Sequence, residues 1–221
     1  TARKYGKKVA SWITGDYGVR VPVSFDNLIF FGRSWSRPLE SKRQYALPVF
    51  IRDPLGLLEQ ESIVLREKGR MPKVGFCGFS DVGILKLTGM TFLALWRNLM
   101  FYSRLTHKGP RKIIPPVLLR EKALNIMESS SLLEKDFVRR GEYVSKYRDC
   151  MQKNKYKLEF LNNIQNSDFT LCIRGTGNFS ARIYEALALG RIPVFVNSGC
   201  LLPLSQEIDW REYCVWVEEP D

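Results

Sequence analysis

Histidine is nearly absent from this sequence, and its cysteines are widely spaced. The one histidine, His107, lies in a turn-like basic stretch, which leaves a single placement for Ser-His-Asp or Cys-His catalysis. No C-x-x-C pair occurs among Cys77, Cys150, Cys172, Cys200 and Cys214. Since zinc sites are built from closely spaced cysteines and histidines, the sequence predicts no zinc site.

Long uncharged apolar runs are also missing. The most apolar region, residues 84–105, is interrupted by Lys86, Arg97 and Arg104. A helix that spans a bilayer needs about 20 apolar residues in succession. The region therefore predicts a buried helix, and we expect no transmembrane segment; no secretory signal peptide opens the visible chain.

The overall composition is that of a folded domain, with 45% hydrophobic and 26% charged residues among 221. The net charge of +11 is uneven. Residues 1–120 carry 21 basic and 8 acidic side chains, a net charge of +13, whereas residues 121–221 carry 13 and 15, a net charge of −2. A basic half predicts an anionic partner: nucleic acid, an anionic glycan, a membrane surface or a phosphorylated small molecule.

Short apolar runs alternate with helical patterns along the chain. Strands are predicted at residues 9–13, 28–31, 47–51 and 73–78, and helices at residues 91–104, 116–127 and 153–165. Continuous apolar runs suit strands that are covered on both faces, as in a parallel sheet. The prediction is an α/β fold with Rossmann-like parallel sheets and flanking helices, divided into residues 1–115, a short first domain, and residues 116–221.

Residues 168–197 carry the strongest local pattern. A buried strand at residues 169–173 is followed by a loop with two glycines, then by a helix that Ser180 is expected to cap and Gly190 to end. Residues 192–196 form the next predicted strand. A strand, glycine loop, helix and strand in this order are typical of units that bind nucleotides at the carboxyl ends of strands.

The chemistry of this loop suits a diphosphate. Backbone N–H groups and the positive end of the helix would face an anion, with Arg174 and Arg182 on either side. Glu185, one turn deeper than Arg182, would accept hydrogen bonds from ribose hydroxyls. The alternative is a plain α/β turn, with Arg182 and Glu185 as a solvated pair on the helix surface.

The stretch from Asp168 to Val194, DFTLCIRGTGNFSARIYEALALGRIPV, resembles the exostosin-like glycosyltransferases of family GT47. Their signature places a serine, an arginine and a glutamate before a "GxIPV" strand. Leu202-Pro203 and the later Ile208-Asp209-Trp210 resemble the downstream element of the family. The resemblance covers roughly residues 145–219. It implies a GT-B-like enzyme that inverts the anomeric centre and uses a UDP-sugar, with xylose among the candidate sugars. In such an enzyme the first domain, residues 1–115, would hold the acceptor, and the second, residues 116–221, the UDP-sugar.

The same resemblance assigns Ser180 and Arg182 to the diphosphate and Glu185 to the ribose. The predicted donor-binding set is Arg174, Gly175, Gly177, Asn178, Ser180, Arg182 and Glu185. Because no Asp-x-Asp motif occurs, we expect no metal or other cofactor, and arginines and the helix N-terminus would stabilise the leaving group.

An inverting transfer needs a base that takes the proton of the acceptor hydroxyl. Asp16, in the turn after the first predicted strand, is the first candidate, because such turns face the cleft in α/β folds. Asp53, after the third predicted strand, is the second. The basic first half fits a glycan acceptor that is anionic or lipid-linked.

Two other functions stay open from the sequence: a basic nucleic-acid-binding module and an inactive, glycan-binding relative of the transferases. No nucleic acid is expected, because the aromatic residues fall within apolar strands and not among the basic residues. The sequence Asn178-Phe179-Ser180 is a glycosylation acceptor site inside the predicted phosphate loop. Since a glycan there would block the donor, and since unpaired thiols suit a reducing compartment, the prediction is a cytoplasmic protein.

Overall fold

In the computed structural model, the described residues are 1–13, 15–16, 26–36, 43–142, 146 and 148–219. They form two parallel sheets. The smaller sheet has the order β1-β2-β3, with β1 at Val9–Ile13, β2 at Leu28–Gly32 and β3 at Gln44–Ala46. Val9 pairs with Leu28, and Phe30 pairs with Gln44.

The larger sheet has five parallel strands in the order β5-β4-β6-β7-β8. Its strands are β4 at Lys73–Phe79, β5 at Glu134–Arg140, β6 at Phe169–Cys172, β7 at Ile192–Asn197 and β8 at Val215–Glu218. These strands confirm the predicted α/β fold with parallel sheets.

Five α-helices flank the sheets in the described part of the chain: α1 at Pro54–Leu57, α2 at Ile84–Tyr102, α3 at Pro116–Ser129, α4 at Cys150–Gln165 and α5 at Arg182–Ala188. Short 3-10 helices lie at Ala2–Tyr5 and Trp210–Glu212. Asp149 caps α4, since its carboxylate accepts hydrogen bonds from the N–H groups of Met151 and Gln152.

The core of the large sheet follows the alternation of side chains along its strands. Phe76, Leu171 and Val194 pack on one face against Leu119 and Leu124 of α3. The opposite face carries α4 and α5, and there Cys172 and Phe195 pack with Ile183. The sheet is therefore the middle layer of three.

The chain changes direction at β4. It runs from β4 to β5 at one edge and then returns to place β6 on the other side of β4, which makes the β4–β6 boundary the topological switch point. The β4–β6 ladder is short: only Val74 pairs with Phe169 and Gly75 with Thr170. Beyond these pairs the two strands diverge toward their carboxyl ends.

Several predicted elements differ from the structure. Residues 47–51 are not a strand, since the ladder with β2 occupies Gln44–Ala46 and Pro48 has no N–H to donate. β5 and β8 were not predicted. Since β4 lies in the large sheet, that sheet draws on both sides of the predicted boundary at residue 115, and the division there stays a prediction.

Candidate active site

The carboxyl ends of β4 and β6 define the candidate site. In open α/β sheets, ligands bind outside the carboxyl ends of the strands at the switch point. A cavity of about 350 Å³ opens there beside Cys77 and Gly78 of β4. Four cationic side chains and two carboxylates line it: Arg120, Arg140, Lys157, Arg182, Glu142 and Glu185. The excess of positive charge suits an anionic ligand.

Arg182, at the start of α5, fills the gap between the diverging strands. Its Nη1 donates to the Leu171 carbonyl oxygen at 3.0 Å, and its Nη2 donates to the Cys77 carbonyl oxygen at 2.7 Å. The guanidinium lies over the rings of Phe76 and Phe160, 4.4 and 5.2 Å from their centroids. Burial lowers the pKa of Arg182 from its ordinary value. Arg182 therefore joins β4 to β6 by side-chain hydrogen bonds.

Arg120 of α3 makes a second bridge, between the end of β4 and the segment that follows β6. Its Nη1 donates to the Phe79 carbonyl oxygen and its Nη2 to the Arg174 carbonyl oxygen, both at 2.9 Å. Sequence reasoning missed Arg120. The sequence did contain a signal: Arg120 lies between Val117 and Leu124 on the apolar stripe of a predicted helix. A cation that is buried in this way needs hydrogen-bond acceptors.

Glu185 is buried against Lys157 of α4, and the two side chains form an ion pair. The alternative of a solvated Arg182–Glu185 pair on the helix surface is therefore wrong, because Arg182 bonds to backbone carbonyls and Glu185 to another helix. Arg140, at the end of β5, lies over the ring of Tyr156 and pairs with Glu159. Whether Glu185 binds a ribose stays a prediction.

The Arg174 side chain bonds to residues outside the glycine loop. Its guanidinium is 96% buried and donates to the Ile114 carbonyl oxygen at 2.7 Å and to Glu219 at 3.4 Å. It is absent from the lining of the cavity that Arg182 and Glu185 share. Its contact with a donor stays a prediction.

The glycine loop after β6 is held by its own backbone and by the first half of the chain. The Gly175 N–H donates to the Phe179 carbonyl oxygen at 3.0 Å. The Asn178 N–H donates to Ser34 Oγ at 2.9 Å, and its amide nitrogen donates to Ser36 Oγ at 2.8 Å. The expectation that loop N–H groups are open to an anion is therefore wrong for Gly175 and Asn178.

The cap of α5 also differs from the prediction. Ala181 is the N-cap residue, with no side-chain cap hydrogen bond, so Ser180 does not cap the helix. Ser180 is buried beside it, and its contact with a diphosphate stays a prediction. Gly190 adopts a left-handed φ of 66° directly after the C-cap residue Leu189, as predicted for the residue that ends the helix.

Asp16 lies against the glycine loop. A Cβ at Gly177 would lie 2.1 Å from the Asp16 carbonyl oxygen, so only glycine allows this approach. The Asp16 carboxylate pairs with Arg33 at 3.4 Å, and the Arg33 guanidinium lies 5.5 Å from the Phe179 ring centroid. The structure therefore brings together the first candidate base and the loop, although about 160 residues separate them in the chain.

The carboxylate of Asp53 accepts a hydrogen bond from the Leu55 N–H at 3.0 Å and caps α1. Neither Asp53 nor Asp16 lines the switch-point cavity. A catalytic role for Asp53 stays a prediction.

Comparisons of the sequence with known proteins found similar proteins. Residues 120–221 match the family model of the exostosin GT47 domain. Exostosin-1 of Drosophila melanogaster is 38% identical over 71 residues, which are 32% of this chain and 9% of that protein. A probable glucuronosyltransferase of Oryza sativa subsp. japonica is 37% identical over 62 residues, 28% of this chain and 15% of that protein.

A third relative, a probable glucuronoxylan glucuronosyltransferase of Arabidopsis thaliana, is 30% identical over 92 residues, 42% of this chain and 18% of that protein. The matched segments thus span less than a fifth of each of these relatives. The resemblance to the GT47 family is confirmed over the C-terminal part of the chain.

The predicted cytoplasmic location is wrong, because exostosin and the GT47 relatives are Golgi glycosyltransferases. The prediction rested on the unpaired thiols and on the assumption that a lumenal protein would carry a glycan on Asn178. In the structure the Asn178 amide donates to Ser36 and accepts from the Ser198 hydroxyl, so packing within the protein already uses it. Within the described residues, no helix has the length and apolarity required to cross a membrane.

Proposed function

We propose that this chain, whose residues 120–221 match the exostosin GT47 domain, transfers a sugar from a UDP-sugar to a hydroxyl group of a glycan. The names of the relatives support glycosyl transfer as the reaction class. The observation that carries the proposal is the cation-rich cavity at the switch point, where nucleotides bind in α/β sheets.

In this proposal the diphosphate of the donor lies beside Lys157 and Arg140. Both cations face the cavity and both pair with glutamates, so each can shift toward an added anion. Arg120 and Arg182 hold the ends of β4 and β6, and both add positive charge to the lining of the cavity. Charge on the departing diphosphate is then stabilised by side chains without a metal ion.

The transfer itself is an in-line displacement with inversion. The acceptor oxygen forms a bond to the anomeric carbon, the bond from that carbon to the diphosphate oxygen breaks, and UDP leaves with the electron pair. Asp16 takes the proton of the acceptor hydroxyl. Its position against Gly177 supports this role, and its ion pair with Arg33 orients the carboxylate.

The names of the relatives and the charge of the cavity suggest a candidate donor sugar. Two of the relatives are named as glucuronosyltransferases, and a glucuronate carboxylate would suit the excess of cations in the cavity. UDP-glucuronate is therefore a candidate beside UDP-xylose. UDP release measured with each UDP-sugar in turn, together with a panel of glycan acceptors, identifies the donor.

Calorimetry with UDP tests the donor site. Lys157→Ala should weaken UDP binding about tenfold or more, because a charge-assisted contact to phosphate is lost. Lys155→Ala is the matched control, since Lys155 is exposed on the same helix and does not line the cavity. Equal UDP affinity in both variants would contradict the site, and UDP binding without any sugar transfer would favour the inactive relative.

A further inference from the structure

Helix α2 presents its apolar residues to solvent. Leu85, Phe92, Trp96 and Leu99 are 91, 66, 54 and 59% exposed. Their spacing of seven, four and three residues places them on one stripe along the 19-residue helix, which is about 28 Å long. Monomeric soluble proteins rarely expose an apolar patch of this extent unless it binds something.

The side of α2 that faces the protein is narrow. Ala94 and Phe101 are buried there, and the Arg97 guanidinium donates to the Gly109 carbonyl oxygen at 3.3 Å. Asn98 exchanges two hydrogen bonds with the backbone of Arg111, at 2.7 and 2.9 Å. These buried side chains and hydrogen bonds hold the helix in an orientation that turns its apolar stripe outward.

The segment from residue 82 to residue 120, which contains α2, carries charge of a single sign. Between Asp81 and Glu121 the sequence contains no acidic residue. The basic residues of the same segment are Lys86, Arg97, Arg104, Lys108, Arg111, Lys112 and Arg120. Arg104, Lys108 and Lys112 are exposed in the segment that directly follows the helix. An apolar stripe beside exposed cations is complementary to the headgroups and acyl chains of an anionic lipid surface.

We propose that α2 lies in the plane of an anionic membrane surface, with its apolar stripe at the boundary of the acyl chains and its basic neighbours among the headgroups. A second copy of the chain is a poorer occupant. Parallel packing of α2 against its own copy would bring the basic segments close together, with no acidic residue between Asp81 and Glu121 to offset the repulsion. This inference does not depend on the proposed function.

Flotation with lipid vesicles tests the proposal. The intact chain should bind phosphatidylcholine vesicles that contain about 30 mol% phosphatidylserine at least tenfold more tightly than vesicles of phosphatidylcholine alone. Phe92→Ser/Leu99→Ser should weaken that binding about tenfold or more, since both side chains are exposed and would enter the lipid. Leu132→Ser is the matched control, because Leu132 is 75% exposed outside α2.

The basic segment is tested separately with Arg104→Gln/Lys108→Gln/Lys112→Gln, which should remove most of the preference for phosphatidylserine. Circular dichroism melting checks that each variant is folded. Vesicle binding that Phe92→Ser/Leu99→Ser leaves unchanged would overturn the proposal. So would a lipid-free dimer in sedimentation velocity that this variant dissociates, because the stripe would then bind a second copy. Vesicles without UDP-sugar or glycan keep this test apart from the test of transfer.

Discussion

The side chain of Arg182 stabilises the backbone around the candidate site. The sequence predicts that Arg182 is a phosphate ligand. In the structure its guanidinium donates to the carbonyl oxygens of Leu171 and Cys77 and lies over the rings of Phe76 and Phe160. Arg182 therefore has a structural role, because its hydrogen bonds hold the strands that form the site. Loss of ligand binding on its removal would therefore not identify it as a ligand contact.

Removing Arg182 should destabilise the fold. Arg182→Ala leaves two carbonyl oxygens without their donors, and we expect a loss of about 2–4 kcal/mol in the free energy of unfolding. Arg182→Lys should recover only part of it, since an ammonium group cannot reproduce the planar fork. Urea unfolding measures both, with the exposed Arg70→Ala as control. A stability change below about 0.5 kcal/mol for Arg182→Ala would show that the two hydrogen bonds do not matter.

The glycines of the loop provide a matched pair of substitutions. Gly177→Ala places a Cβ 2.1 Å from the Asp16 carbonyl oxygen, whereas a Cβ at Gly175 meets nothing within 4 Å. Gly177→Ala should displace Asp16 and lower the rate of sugar transfer at least about tenfold, because a small misplacement of a catalytic group is costly. Gly175→Ala should leave the rate within about twofold. Equal rates for the two variants would contradict the contact.

Buried thiols should respond to alkaline pH. Burial raises the pKa of the Cys172 thiol, so folding favours the neutral form. Since the folded-state pKa lies above the unfolded one, this stability is fully present below about pH 9 and is lost as the pH rises further. The stability difference between wild type and Cys172→Ala, measured by urea unfolding, should therefore shrink from pH 7 to pH 10. A constant difference would show that Cys172 does not titrate with unfolding.

At the scale of elements, the predictable part of the fold was the interior of the large sheet. β4, β6 and β7 are continuous apolar runs that are covered on both faces, so composition alone identifies them. β5 is an edge strand with the sequence Glu-Lys-Asp-Phe-Val-Arg-Arg, and its charged residues hide the strand pattern. Edge strands of this kind are recognised only when their neighbour in the sheet is known.

The candidate site likewise has a part that the sequence predicted and a part that it did not. The loop with Gly175 and Gly177 was predicted, because a strand, a turn and a helix are adjacent in sequence. Ser34, Ser36 and Arg120 were missed, since each reaches the site from a distant segment through contacts that have no local pattern. Tertiary packing also overrode local propensity at the start of α5, where Ala181 and not Ser180 is the N-cap.

At the scale of the whole molecule, the two halves of the chain meet at the loop. Ser34 and Ser36 follow β2 and hold Asn178, and Ser36 also forms a bridge with Cys200. Asp16 lies in the same contact region against Gly177. The small sheet therefore places a carboxylate from the first half beside the loop that follows β6.

This arrangement predicts that binding and transfer can be separated. Asp16→Asn should abolish sugar transfer, because an amide cannot accept the hydroxyl proton, and it should leave UDP affinity within about twofold. Rates of UDP release and calorimetry on the same protein measure the two effects. Transfer at the wild-type rate would exclude Asp16 as the base, and Asp53→Asn would then test the second candidate.

The brief pairing of β4 with β6 has a consequence for the mechanics of the protein. The large sheet consists of a two-stranded part, β5 and β4, and a three-stranded part, β6, β7 and β8. Two residue pairs and the side chains of Arg120 and Arg182 join the two parts. Thermal opening should start along this seam, so amide protons there should exchange with solvent sooner than those inside either part. Because both arginines also line the cavity, an occupant of the cavity that contacts them would hold the seam closed, and slower exchange would report its presence.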